Sequence, residues 1–125
     1  MSDAHPPLLT RHPELQQIVD ALDDKRAVDV RILDLAPLSP NVEGFVIATA
    51  ESGPQLTAMQ DAVKEATKEI GIAPRGIEAP SSRWVLMDYG GLVVHLMNPE
   101  AREFYDLEGF WADADTVTVP PTQPA

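Results

Sequence analysis

Two apolar runs, Arg83-Trp-Val-Leu-Met-Asp88 and Leu92-Val-Val-His-Leu-Met97, stand on either side of Tyr89-Gly90-Gly91. Glycine supplies the positive φ that tight turns demand, so the spacing predicts a β-hairpin. A two-residue loop at Tyr89-Gly90 or at Gly90-Gly91 divides the side chains in the same way, because side chains alternate along each strand. One face then carries Val85, Met87, Leu92, Val94 and Leu96, a purely aliphatic set that belongs in a core. The other carries Trp84, Leu86, Asp88, Val93, His95 and Met97. Aromatic residues and Met are enriched where proteins meet, so the mixed face is the candidate docking surface. The plain alternative is that a helix of the same chain covers it, with His95 a satisfied core histidine. A three-residue loop would reverse the division.

The remainder reads as one α/β unit. Leu15, Ile18, Val19 and Leu22 follow helical spacing and Pro13 suits a first turn, predicting a helix over 13–24. Val28-Asp-Val-Arg-Ile32 alternates as a strand, extending to Leu35 before Pro37 and Pro40. Phe45–Thr49 is a second strand. Ser52-Gly-Pro-Gln55 resembles a capping box ahead of the stripe Leu56, Met59, Val63, Ala66 and Ile70, and Gly71 is suited to end that helix. Arg75–Ala79 is a short candidate strand. Asn98-Pro99-Glu100 begins a last helix, closed by Gly109. Five of the twelve prolines lie near the ends, so residues 1–11 are expected to be a mobile tail, 12–112 the domain, and 113–125 an acidic then proline-rich tail.

The formal net charge of −11, from 20 acidic against 9 basic residues, opposes autonomous binding to nucleic acid. A basic protein is the better electrostatic match, although acidity by itself also serves solubility. Without cysteine there is no disulfide, thiolate metal site or thiol nucleophile, which is compatible with a reducing cytoplasm. No apolar run is long enough to span a membrane, and Met-Ser-Asp-Ala-His-Pro-Pro does not read as a signal peptide.

Catalytic chemistry finds little support. The histidines are His5, His12 and His95, without HxxxH or HExxH spacing. His95 with Asp88 is the one imaginable base and orienter, with no cysteine available and no serine in a nucleophile elbow. No glycine-rich phosphate loop occurs. The pairs Asp23-Asp24 and Asp113/Asp115 fall in a turn and a tail, where solvated charge is the ordinary reading. No metal or cofactor is expected.

The ordered set Gly76-Ile-Glu78, Trp84-Val-Leu-Met-Asp88-Tyr-Gly90, Val93-Val-His95, Arg102-Glu-Phe-Tyr105-Asp-Leu107-Glu108 and Trp111 closely resembles the ribosomal silencing factor (RsfS, Iojap-like) family, over roughly residues 13–112. Three places depart from the family's pattern. Gly91 stands where Asp is usual, Glu43-Gly44-Phe45 replaces Asp-aromatic-Phe, and Thr49–Gln55 lacks the usual Gly and Arg.

The resemblance implies a single α/β domain with a mixed sheet of about five strands flanked by helices. That fold is similar to nucleotidyltransferases but lacks their catalytic residues. Thr49-Ala50-Glu51-Ser52 offers no Gly-Ser pair and no paired acids follow, which agrees with a non-enzymatic role; a nucleotidyltransferase-like enzyme using Mg²⁺ is the alternative. The implied partner is the basic protein fourteen of the large ribosomal subunit. Docking there would obstruct the small subunit and lower translation when nutrients are scarce, in the cytoplasm. The residues carried over as protein contacts are Trp84, Asp88, His95, Met97, Tyr105 and Leu107; the first four lie on the mixed hairpin face. Members of such a family also self-associate as dimers.

Overall fold

The computed structural model describes residues 8–122. Strands β4 (Trp84–Asp88) and β5 (Leu92–Met97) form the hairpin. Asp88 stands opposite Val93 and Trp84 opposite Met97, so Gly90-Gly91 is the two-residue loop. Tyr89 N–H donates to the Leu92 carbonyl at 2.8 Å, and the Asp88 carboxylate accepts from Gly90 N–H at 2.8 Å. Gly90 has φ of +89°, the conformation that requires glycine here. The division of faces follows as expected: Val85, Met87, Leu92, Val94 and Leu96 all enter the main core.

Helices α1 (Leu8–Arg11) and α2 (Glu14–Asp24) precede β1 (Val28–Asp34), β2 (Gly44–Thr49), α3 (Gly53–Lys68) and β3 (Gly76–Ser81). After the hairpin come α4 (Pro99–Tyr105), α5 (Leu107–Phe110) and β6 (Asp115–Thr118). The sheet has six strands in the order β3-β4-β5-β2-β1-β6. It is mixed because β2 runs parallel to β5 and every other pairing is antiparallel. The first face packs under α2 and α3 through Ile18, Leu22, Met59 and Val63. The second holds Leu33, Leu35, Ile47 and Met97, covered by Ala101, Leu107 and Trp111.

The helix starts behave as their sequences predict. Ser52 Oγ accepts from Gln55 N–H at 3.1 Å, and Asn98 Oδ1 accepts from Ala101 N–H at 2.8 Å. The Gln55 amide does not close the box on Ser52. Its oxygen accepts from Glu51 N–H and its nitrogen donates to the Lys25 and Arg26 carbonyls, tying α3 to the turn after α2.

Four expectations need correction. The sheet has six strands rather than about five, because Asp115–Thr118, inside the expected C-terminal tail, pairs with β1. Residues 8–11, inside the expected N-terminal tail, form a helical turn whose Leu8 is buried in the main core. The expected tail residues 1–7 and 123–125 lie outside the described residues. In α3, Ile70 is exposed past the helix end, and Thr67 takes the buried place. Its hydroxyl is satisfied by the Val63 carbonyl at 3.1 Å and the Tyr89 hydroxyl at 2.9 Å.

Arg102 was not singled out for any structural role, yet it fastens the second face. Its guanidinium meets Glu108 in a bidentate pair, Nε to Oε1 at 3.2 Å and Nη2 to Oε2 at 2.9 Å. Nη1 donates to the Asp29 carbonyl at 2.6 Å and the Thr49 hydroxyl at 2.9 Å. One side chain thus joins α4, α5, the start of β1 and the end of β2. Breaking such a covered pair from one side costs about 3–5 kcal/mol. Arg102→Met is therefore expected to lose stability on that scale in urea denaturation, with Arg102→Lys intermediate. A loss below about 1 kcal/mol for Arg102→Met would show that the clamp is dispensable.

Candidate protein-docking site

Every Phe, Trp and Tyr except Tyr89 belongs to one continuous line of rings on the second face. Phe104 meets Tyr105 at 5.0 Å between centroids, and Tyr105 meets Trp84 at 4.6 Å. Trp84 leans on His95 at 5.8 Å, and His95 meets Phe45 edge-on at 4.4 Å. Phe45 continues to Trp111 at 6.2 Å, and Trp111 to Phe110 at 5.3 Å. These are the tilted and edge-to-face geometries that aromatic quadrupoles favour.

Exposure rises from the middle outward. His95 is 3% exposed and Met97 0%, while Trp84, Phe45 and Trp111 are half-buried. Tyr105 is 44% exposed, and at the two ends Phe104 and Phe110 reach 80% and 78%. Asp106 sets the outer pair apart. It adopts φ 45°, ψ 57°, ends α4 and caps α5 by accepting from Gly109 N–H at 3.1 Å. A side chain at Gly109 would collide with that carboxylate.

The residues expected to contact a partner therefore separate into groups. Trp84 and Tyr105 stand together and reach solvent, and Leu107 is half-buried against the inner cluster. His95 and Met97 do not reach the surface, because α4, α5, Phe45 and Trp84 cover them. The half-buried Asp88 uses its carboxylate on the hairpin turn. Sequence reasoning missed Phe45, Phe104 and Phe110 as parts of this surface. The available signal was two phenylalanines in a short helical stretch rich in acids, where a core position would be flanked by other apolar residues. Glu100, Glu103, Asp106 and Glu108 line that stretch, and its only base, Arg102, is buried in the clamp.

His95 is held as a neutral ring. Trp84 Nε1–H donates to Nδ1 at 3.1 Å, which places the proton on Nε2. Nε2 is buried and has no hydrogen-bond partner among the described residues. Burial lowers its pKa from 6.5 to about 4. No hydrogen bond joins His95 to Asp88 among the described residues, so the base-and-orienter pair is not assembled. The unfolded chain takes up this proton near pH 6.5 and the folded one resists it until about pH 4, so stability falls as pH falls across that window. Between pH 6.5 and 5 the loss should approach about 2 kcal/mol from this group. Urea denaturation of His95→Gln should show a flatter pH dependence; an unchanged slope would mean that His95 is not the responsible group.

Two of the departures in sequence have a physical explanation at the hairpin tip. A Cβ on Gly44 would lie 2.5 Å from Leu8 Cδ2, and a Cβ on Gly91 would collide with the His12 ring. Residues 8–12 thus occupy the space that side chains at 44 and 91 would fill. His12 and Arg11 both pair with Glu43, and Arg11 also reaches Asp34 at 3.4 Å. Gly91 has no left-handed φ, so only this collision excludes a side chain there. Gly91→Ala should cost about 1–3 kcal/mol of stability. Adding His12→Ala should recover most of that cost, whereas simple additivity in the double mutant would refute the collision.

The chain is thus a single α/β domain whose mixed sheet carries helices on both faces and a partly exposed line of rings on the second. The profile described as "Ribosomal silencing factor during starvation" matches residues 9–125. The chain is 36% identical to the ribosomal silencing factor RsfS of Zymomonas mobilis, covering 87% of this chain and 83% of that one. It is 38% identical to the RsfS of Halalkalibacterium halodurans, covering 82% and 89%. It is also 35% identical to the chloroplastic protein Iojap of Arabidopsis thaliana, over 83% of this chain and 44% of that longer one. A Chromobacterium violaceum crystal structure superposes with a TM-score of 0.77 at 32% identity, covering 90% of this chain and 95% of that one. The chain belongs to the RsfS family of ribosomal silencing factors.

Proposed function

We propose that this chain represses translation by docking its aromatic face on the large ribosomal subunit, through the basic protein fourteen, and so obstructing the small subunit. The line of rings from Phe104 to Phe110 carries the reading. Its outer members are large, rigid and exposed, and its inner members are fixed by packing, which is the composition of an interface with central anchors. The acids along α4 and α5 favour a basic protein over RNA. No nucleotide chemistry is proposed. Hydroxyls near the expected place of a phosphate loop are already engaged, Thr49 by Arg102 and Ser52 by Gln55 N–H. The docking residues in this reading are Trp84, Tyr105 and Leu107, joined by Phe45, Phe104 and Phe110. His95, Met97 and Asp88 hold them from behind or from the side.

In sucrose gradients the added protein should travel with isolated large subunits and shift joined ribosomes towards separate subunits. Comigration with small subunits alone would defeat the proposal. Phe104→Ala and Phe110→Ala should leave the melting temperature nearly unchanged, because both rings are mostly in solvent. Each should weaken large-subunit binding by about tenfold or more. Trp84→Ala should lose about 30- to 1,000-fold in affinity, with some loss of stability because His95 loses its donor. Full affinity in all three variants would place the docking surface elsewhere.

A further inference from the structure

The two edges of the sheet are finished differently. β3 is an unattractive edge: it contains Pro80, and its ladder with β4 is broken by an irregularity between Glu78 and Ser81. β6 has neither device. Its ladder with β1 is regular from Asp34↔Asp115 to Arg31↔Thr118, it contains no Pro or Lys, and all four residues are exposed. Val119 N–H donates to the Val30 carbonyl. Alternation along an antiparallel pair therefore turns the Val117 N–H to β1 and those of Thr116 and Thr118 outward. No strand lies beyond β6 among the described residues.

Beside this edge is a hollow shaped for side chains. Val117 lies opposite Ile32, whose side chain packs on the main core, yet Val117 is 58% exposed because α2 stands apart from it. The gap has a volume of about 280 Å³, between Leu9, Leu15 and Val19 on one side and Ile32, Val117 and Val119 on the other. No charged side chain lines it. It adjoins a second hollow of about 430 Å³ beneath Pro120-Pro121, which Thr122 pins by donating its N–H to Asp23 at 3.0 Å. A strand added outside β6 would place alternate side chains in the first hollow, while its backbone met Thr116 and Thr118.

We propose that β6 is a second docking site, on the face of the sheet opposite the rings, for an extended basic segment of a partner protein with alternating apolar residues. Charge selects the occupant. Asp113 and Asp115 lead into β6, and the chain as a whole carries −11. A second copy would oppose the same acids to one another, whereas Lys or Arg flanking apolar residues complements them.

The test is titration of the ¹⁵N-labelled full chain at physiological ionic strength with a blocked synthetic peptide of alternating Lys and Val, seven residues long. Two control peptides replace every Lys by Glu or every Val by Ser. Shifts should centre on the amides of Thr116, Val117, Thr118 and Val119, and neither control should reproduce them. Thr118→Pro removes an outward donor while leaving the bonds to β1, and should weaken binding by at least about tenfold. Trp84→Ala should bind the Lys-Val peptide as the unaltered chain does, which separates this site from the aromatic face. Equal shifts with the Lys-Ser peptide, equal binding by the Glu-Val peptide, or full affinity in Thr118→Pro would each overturn the proposal. So would self-association through β6, seen by sedimentation, without peptide binding.

Discussion

The guanidinium of Arg102 is the point on which the second face of the sheet depends. Helices α4 and α5 have seven and four residues, too short to persist by their own hydrogen bonds. Their apolar anchoring is confined to Ala101, Leu107 and the Tyr105 ring, since Phe104 and Phe110 face solvent. What fixes them is a charged fork that makes four hydrogen bonds, two to Glu108 and one each to the Asp29 carbonyl and the Thr49 hydroxyl. Lysine at this position would offer one ammonium to partners lying in several directions. Asp29 adopts a left-handed φ of 50°, a conformation costly for a residue with a side chain, and its carbonyl is one of Arg102's acceptors. The strain at the start of β1 and the seating of both helices are thus parts of one arrangement.

That arrangement explains how a surface made of rings stays a surface. Six aromatic side chains left to themselves would collapse into a core. Here the backbone turns at Asp106, the clamp ties the helices on either side of that turn to each other and to the sheet, and the outer rings are displayed. The inner rings are fixed by the sheet: Phe45 and His95 stand on the adjacent strands β2 and β5, and Trp84 crosses to His95 through its indole N–H. Immobilised anchors have less side-chain freedom to lose on binding, so more of their contact energy is left for affinity.

Where local signals and tertiary placement agreed, the sequence could be read. The hairpin was legible because period two and a glycine turn together fix which side chain lies on which face, and the same division appears in the two core clusters. The caps at Ser52 and Asn98 were legible because they are local hydrogen bonds. β6 was not. Asp-Thr-Val-Thr is too short and too polar to announce a strand, and it exists because β1 offers it a ladder. Leu8 escaped notice for a similar reason: its burial depends on Gly44, 36 positions away, having no side chain. Along the line of rings, the sequence singled out Trp84 and Tyr105 but not Phe104 and Phe110, because no periodicity rule marks an apolar residue that has been left outside.

His95 shows why composition alone misassigns such a face. A histidine beside a tryptophan and a carboxylate invites thoughts of proton transfer or of direct contact with a partner. Its surroundings engage it otherwise: Trp84 occupies Nδ1, burial keeps the ring neutral near pH 7, and Asp88 is turned to the hairpin. What remains is an acceptor that orients the indole and a flat ring against Phe45. An aliphatic residue there would fill the space and leave the Trp84 N–H without an internal partner, free to rotate towards solvent. A glutamine would accept the bond but lacks the ring face. Histidine supplies both the acceptor and the plane, so its value lies in holding Trp84 at one angle rather than in any charge of its own.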